Sequence, residues 1–242
     1  MDGTQQGNTR EAGAPPAARS RRDFLRAAGL AGATLTVGGA LAACTDGSTS
    51  PLSPRGVSFA VVNGNNVTLD FSSDVDVLNY AYALEQLEAA FYTQVVAAAN
   101  FEYRFTMSER SVLTDLRDHE IAHREFFKEA LGANAIPDLS VNFSSINFTS
   151  RDSVLATAQT FEDLGVAAYN GAGRYLKNAD FLTVAGKIVS VEARHASAIR
   201  ALRNNNRTDA FAPNAFDAAM TPAQVLAAAR PFVVQTIAVT NA

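Results

Sequence analysis

The sequence predicts an all-α domain, an antiparallel four-helix bundle with a long crossover between its second and third helices. A small N-terminal β-hairpin precedes the bundle and a short C-terminal helix follows it. Three observations lead there. Four long stretches repeat apolar side chains at the 3.6-residue period of a buried helix face. The first and second stretches, and the third and fourth, are joined by short links, whereas the second and third are separated by enough chain to run the length of a bundle. A weak internal repeat also places a single glutamate on the first and third stretches and Glu-x-x-His on the second and fourth.

Residues 1–19 are rich in Gly, Pro, Ala and polar groups, which predicts a segment without fixed structure. Ser20-Arg21-Arg22-Asp23-Phe24-Leu25-Arg26 then leads into Ala27 to Ala43, a Gly- and Ala-rich stretch too short and too weakly apolar for a membrane span. It ends in Leu41-Ala42-Ala43-Cys44. The run resembles a twin-arginine export signal that finishes in a bacterial lipobox. The resemblance implies cleavage before Cys44, lipid attachment to its sulfur, and export in a folded state to the cell envelope, lipid-anchored or periplasmic. The membrane would then be a partner. Cys44 is the only cysteine, so no intrachain disulfide can form. The expected organisation is a signal peptide over 1–43, a tether over 44–56, a hairpin over 57–72, the bundle over 73–204 and a tail with a short helix over 205–242.

The hairpin expectation rests on Asn63-Gly64 between two β-favouring runs, Val57 to Asn63 and Asn65 to Phe71. The first long helix is expected over about 75–99, with Ser73 or Asp74 as N-cap and a face of Leu78, Tyr82, Glu85, Ala89, Tyr92 and Val96. The second begins after Ser108 and stops at Gly132, a C′ glycine; its face carries Val112, Leu116, Glu120, His123, Phe127 and Ala130. Ala133 to Ser150 has no helical period and serves as the crossover. The third helix spans about 151–176 with Leu155, Ala158, Glu162, Val166, Tyr169 and Gly173 on one face. The fourth spans about 181–202 with Ala185, Ile188, Glu192, His195, Ile199 and Leu202. Thr221-Pro222 opens the short helix in the tail, with Thr as N-cap and Pro at the first helical position.

Charge and composition narrow the function. Residues 1–43 hold five basic and three acidic side chains, so the remainder carries 15 basic and 21 acidic groups, about −6. No basic patch stands out, which argues against nucleic acid as a partner. The four glutamates lie on otherwise apolar stripes. Four carboxylates in one core repel each other and take up protons unless cations meet them. Two divalent ions would balance the four charges, and neutral imidazoles would complete the ligand shells. Glu88 competes with Glu85 for the first position; the matched seven-residue step, Glu85 to Tyr92 and Glu162 to Tyr169, decides for Glu85. Asp163 lies about 100° round the helix from Glu162. His119 is expected beside the ligands or on the helix surface.

One glutamate from each of two helices with Glu-x-x-His from the other two resembles the ferritin-like di-iron and di-manganese carboxylate family. The segments from Leu84 to Tyr92 and from Val191 to Ala196 are particularly similar to its desiccation-related branch. The resemblance covers about 78–202. It implies metal ligation by Glu85, Glu120, His123, Glu162, Glu192 and His195, with Glu120 and Glu192 bridging. It also implies tyrosines, here Tyr92 and Tyr169, near the metals, as second-shell groups in any catalysis. The expected cofactor is two Fe, with Mn as the alternative; the expected substrate is dioxygen or peroxide, and the expected role is ferrous oxidation or peroxide removal in stress protection. A manganese catalase-like reaction uses the same ligands, and association into homo-oligomers is open. Two rivals remain. One is a non-catalytic, metal-stabilised envelope protein. The other is a zinc protease, because His119-Glu120-Ile121-Ala122-His123 matches His-Glu-x-x-His, although that reading leaves Glu85, Glu162, Glu192 and His195 unexplained.

Overall fold

The computed structural model describes residues 60–204 and 211–242; the signal-like segment, Cys44 and the tether lie outside the described residues. The elements run β1 (Val61–Asn63), β2 (Asn66–Asp70), α1 (Asp74–Ala97), α2 (Phe101–Arg104), α3 (Met107–Leu131), α4 (Arg151–Ala172), α5 (Ala179–Arg203), α6 (Pro222–Ala229) and β3 (Thr236–Thr240). Helices α1, α3, α4 and α5 form the four-helix bundle, with α1 packed on α3 and α4 on α5 as the two hairpins.

The helix ends follow from local chemistry. Thr106 and Glu109 make a capping box at α3, so that helix begins slightly before the expected start. Gly132 closes α3 at φ 53°, a conformation that favours glycine. Asn178 caps α5 by accepting from the Asp180 and Phe181 amides. Thr221 and Gln224 form a second capping box, with Pro222 at the first position of α6. Three details depart from expectation. The α1–α3 link contains a one-turn helix, α2. The α4 helix stops at Ala172 and continues as a 3-10 turn over Gly173–Tyr175. The hairpin is not a free appendage either: β2 pairs antiparallel with β1 and parallel with β3, so the tail returns to the start of the bundle.

Helix α1 is buried on nearly every face, which explains why its sequence is so uniformly apolar. Its polar side chains are used to clip the crossover against it. Asn79 donates to the Asn134 carbonyl at 2.9 Å and accepts from the Ile136 amide at 2.8 Å, and Gln86 accepts from the Leu139 amide at 2.7 Å. At the other hairpin, Asp74 accepts from the Lys177 and Asn178 amides and so ties the start of α1 to the α4–α5 turn. Helix α6 lies against α4, where the Met220 amide donates to the Ala167 carbonyl at 3.0 Å. A Cβ at Gly171 would sit 1.8 Å from the Met220 carbonyl oxygen, so only glycine admits that approach.

Candidate metal centre

The bundle brings Glu85 from α1, Glu120 and His123 from α3, Glu162 from α4, and Glu192 and His195 from α5 into one interior cluster. All four carboxylates are 0 % exposed. Residues three apart on a helix share a face, so each Glu-x-x-His presents its carboxylate and imidazole inward together.

Six carboxylate oxygens and two ring nitrogens converge as two sets of four. His123 Nδ1 stands 3.4 Å from Glu85 Oε2, 3.5 Å from Glu120 Oε2 and 2.9 Å from Glu192 Oε1. His195 Nδ1 stands 3.4 Å from Glu162 Oε2, 3.5 Å from Glu192 Oε2 and 2.8 Å from Glu120 Oε1. The two sets are near mirror images in their distances. Glu120 and Glu192 give one oxygen to each set, whereas Glu85 and Glu162 each serve one. None of these eight buried atoms has a hydrogen-bond partner. They are close but aimed at common points rather than at one another. Around an ion with bonds of about 2.1 Å, neighbouring ligand atoms stand roughly 3.0–3.4 Å apart, which is the spacing found here. In each of the two groups, Glu85-Glu120-His123-Glu192 and Glu120-Glu162-Glu192-His195, one donor atom per residue lies within 4.8 Å of the others, an arrangement that could hold a metal ion.

The remaining oxygens of the single glutamates are used differently. Tyr92 donates to Glu162 Oε1 at 2.5 Å, and Tyr169 donates to Glu85 Oε1. Each tyrosine therefore orients the carboxylate of the opposite half of the repeat. Sequence spacing links Glu85 with Tyr92 along α1, and only the fold reveals that their partners are exchanged. Burial, with the carboxylate beside each, raises both phenols well above their ordinary value, so they stay protonated donors.

Without metal, the electrostatics are those of a crowded acidic site. Burial pushes Glu85 and Glu162 up to about 8, because each has only one imidazole nearby to oppose it. Glu120 is equally buried but lies beside both imidazoles, which outweigh burial and hold it down to about 2. The surrounding carboxylates raise His195 to about 12 and His123 further still, against the effect of burial. Carboxylate and imidazole thus shift each other in opposite directions, and metal binding to this donor set is coupled to proton release.

Two residues near the cluster extend what the sequence marked. His119 does not join either set. Its Nδ1 lies 2.9 Å from His195 Nε2, with the rings 10° from parallel, and it is itself exposed. The two histidines of His-Glu-x-x-His therefore do not converge on one point, and the zinc-protease arrangement is not formed. Glu88, set aside in favour of Glu85, is buried beside the cluster together with it. Asp163 instead pairs with Arg200 at 2.5 Å.

Fold and site together define a four-helix-bundle protein with an interior carboxylate–imidazole cluster, a candidate metal centre. Residues 73–205, more than half of the chain, match the family model of the ferritin-like domain, and the chain belongs to that family. No curated protein matches the chain.

Proposed function

We propose that this is an exported di-metal carboxylate protein, holding a pair of iron ions and oxidising ferrous iron with dioxygen or peroxide in a stress-protection role. The observation that carries the reading is the pair of four-atom sets, sharing Glu120 and Glu192, in which every atom is buried and none has a hydrogen-bond partner. Carboxylate and imidazole donors suit iron, and manganese as the alternative. The similarity of Leu84 to Tyr92 and Val191 to Ala196 to the desiccation-related branch supports the stress role. The order of Arg21-Arg22, apolar stretch and Cys44 supports export by the twin-arginine route and a lipid anchor.

In this reading Glu85, Glu120, His123, Glu162, Glu192 and His195 would hold the metal pair, with Glu120 and Glu192 contributing to both groups of donors. The bound metal pair supplies the redox chemistry. Tyr92 and Tyr169 keep a proton on each phenol oxygen and fix Glu162 and Glu85 in place. Phe91 and Phe161, packed edge to face with 5.1 Å between centroids, form an apolar wall beside Tyr92 that keeps water out. A second reading, a metal-stabilised protein without turnover, draws on the same complete burial of the carboxylates. Elemental analysis with stopped-flow ferrous oxidation separates the two. The catalytic reading expects about two ions per chain and fast oxidation lost in Glu120→Ala and Glu192→Ala; a loaded protein that turns over neither dioxygen nor peroxide contradicts it.

A further inference from the structure

The two halves of the internal repeat differ in how fully they are packed. The register that matches Glu85 with Glu162 and Tyr92 with Tyr169 sets Ala168 against Phe91 and Ala172 against Val95; the register that matches Glu120 with Glu192 sets Ala185 against Leu113. Phe91, Val95 and Leu113 are all buried. Where the alanines replace them, a cavity of about 20 Å³ remains between α1, α4 and α5, lined by Leu78, Ala81 and Leu84 together with the three alanines. Tyr169 forms part of its wall, and the hydroxyl of Tyr169 donates to Glu85. The lining is graded. Leu84 and Ala168 are buried, whereas Gly173 and Ala185 are half-buried, so the cavity leads from the centre toward the α4–α5 turn. The tyrosines carry the same difference: Tyr169 is 9 % exposed and Tyr92 0 %.

A cavity of this size admits about one water-sized molecule, and its walls decide which. Tyr80 and Tyr169 are the only polar side chains in the lining. Tyr169 is committed to Glu85, and the buried hydroxyl of Tyr80 has no hydrogen-bond partner. A buried water makes about three hydrogen bonds. Water or hydrogen peroxide here would find one free hydroxyl, and leaving its other donors and acceptors unmet is costly. Dioxygen carries no proton to place and loses nothing against an aliphatic wall. We infer that this cavity is the port through which dioxygen, rather than peroxide, reaches the centre. This rests on the ferrous-oxidation reading above and narrows its oxidant. Tyr169 holds Glu85, which belongs to the His123 set alone, so dioxygen arrives beside that set, while Phe91 and Phe161 fill the side of Tyr92.

Crystals of the full chain under xenon pressure give a readout that needs no turnover, because xenon enters dry apolar cavities. Wild type should show xenon among Leu84, Ala168 and Ala172. Ala185→Leu and the milder Ala172→Val each restore the residue of the other half, and the second keeps the test open should the first fail to fold. Both should reduce or remove the xenon. At unchanged metal content they should lower kcat/KM for dioxygen in ferrous oxidation by about tenfold, while peroxide-driven oxidation stays within about twofold of wild type. No xenon in this cavity of wild type, equal slowing with both oxidants, dioxygen kinetics unchanged in both variants, or turnover of wild type with peroxide alone would each overturn the port and leave the ferrous-oxidation reading intact. Xenon in a metal-loaded protein that turns over neither oxidant would overturn both.

Discussion

The two halves of the metal centre are alike in their donor atoms and unlike in what surrounds them. In each half an imidazole nitrogen faces three carboxylate oxygens at nearly the same three distances, and a tyrosine from the opposite half holds the single glutamate. Beyond that shell the symmetry ends. The outer nitrogen of His195 meets His119 Nδ1 at 2.9 Å. One half contributes Glu88 where the other has Gly165. Helix α1 is sheathed by the crossover, whereas α4 is covered by α6. The repeat thus fixes where metal can sit, and the departures from it set how the two positions differ.

The strongest way to break the comparison is at the shared glutamates. Glu120→Ala or Glu192→Ala removes an oxygen from both sets at once. Each should weaken uptake of both ions by about 100-fold or more, read by metal titration; loss of a single ion would show that neither glutamate is shared. The single glutamates should sharpen it. Glu85→Ala should deplete the set around His123 and Glu162→Ala the set around His195, each leaving about one ion per chain. Loss of both ions in either variant would mean that the halves do not load separately.

Smaller effects probe the shell. His119→Ala removes the partner that fixes the ring of His195, and outer partners of ligating histidines typically contribute about 10- to 100-fold in affinity. The expectation is a loss of about tenfold at the His195 position and none at the His123 position, with partial recovery in His119→Asn. A uniform loss at both positions would assign His119 to general stability.

The pH dependence of stability gives a further comparison, between metal-free and loaded protein. Glu85 and Glu162 carry protons up to about 8 in the folded state, against 4.5 as their ordinary value, and His195 up to about 12 against 6.5. The folded chain then binds more protons than the unfolded chain above 4.5, so metal-free stability falls as pH rises through that window. Glu120, held down to about 2, acts in the opposite sense, and its contribution is lost only as pH falls below 4.5. The Tm of the metal-free protein should therefore decline between about pH 5 and pH 8, while the increment added by metal grows. A metal-free Tm that rises across this range would contradict the assignment of those protons.

Much of this was legible in the sequence for a definite reason. Helical periodicity fixes which residues share a face, so the four glutamates and two histidines could be read as one inward-facing group. The same periodicity cannot separate Glu85 from Glu88, since residues three apart lie on the same face, and both prove to be inside. Nor can it reveal that Tyr92 serves Glu162, or that His119 reaches His195, because those bonds cross between helices 70 and 76 residues apart in the chain. The third strand was missed for a related reason. Thr236–Thr240 is short, and its partner strand lies far away in the sequence, where Val67 pairs with Ile237.

The position of bound metal is the decisive observable. Anomalous diffraction at the iron edge, from protein purified with its native metal, should give two peaks: one among Glu85, Glu120, His123 and Glu192, the other among Glu120, Glu162, Glu192 and His195. A single peak, or density away from these carboxylates, would contradict the two-metal reading.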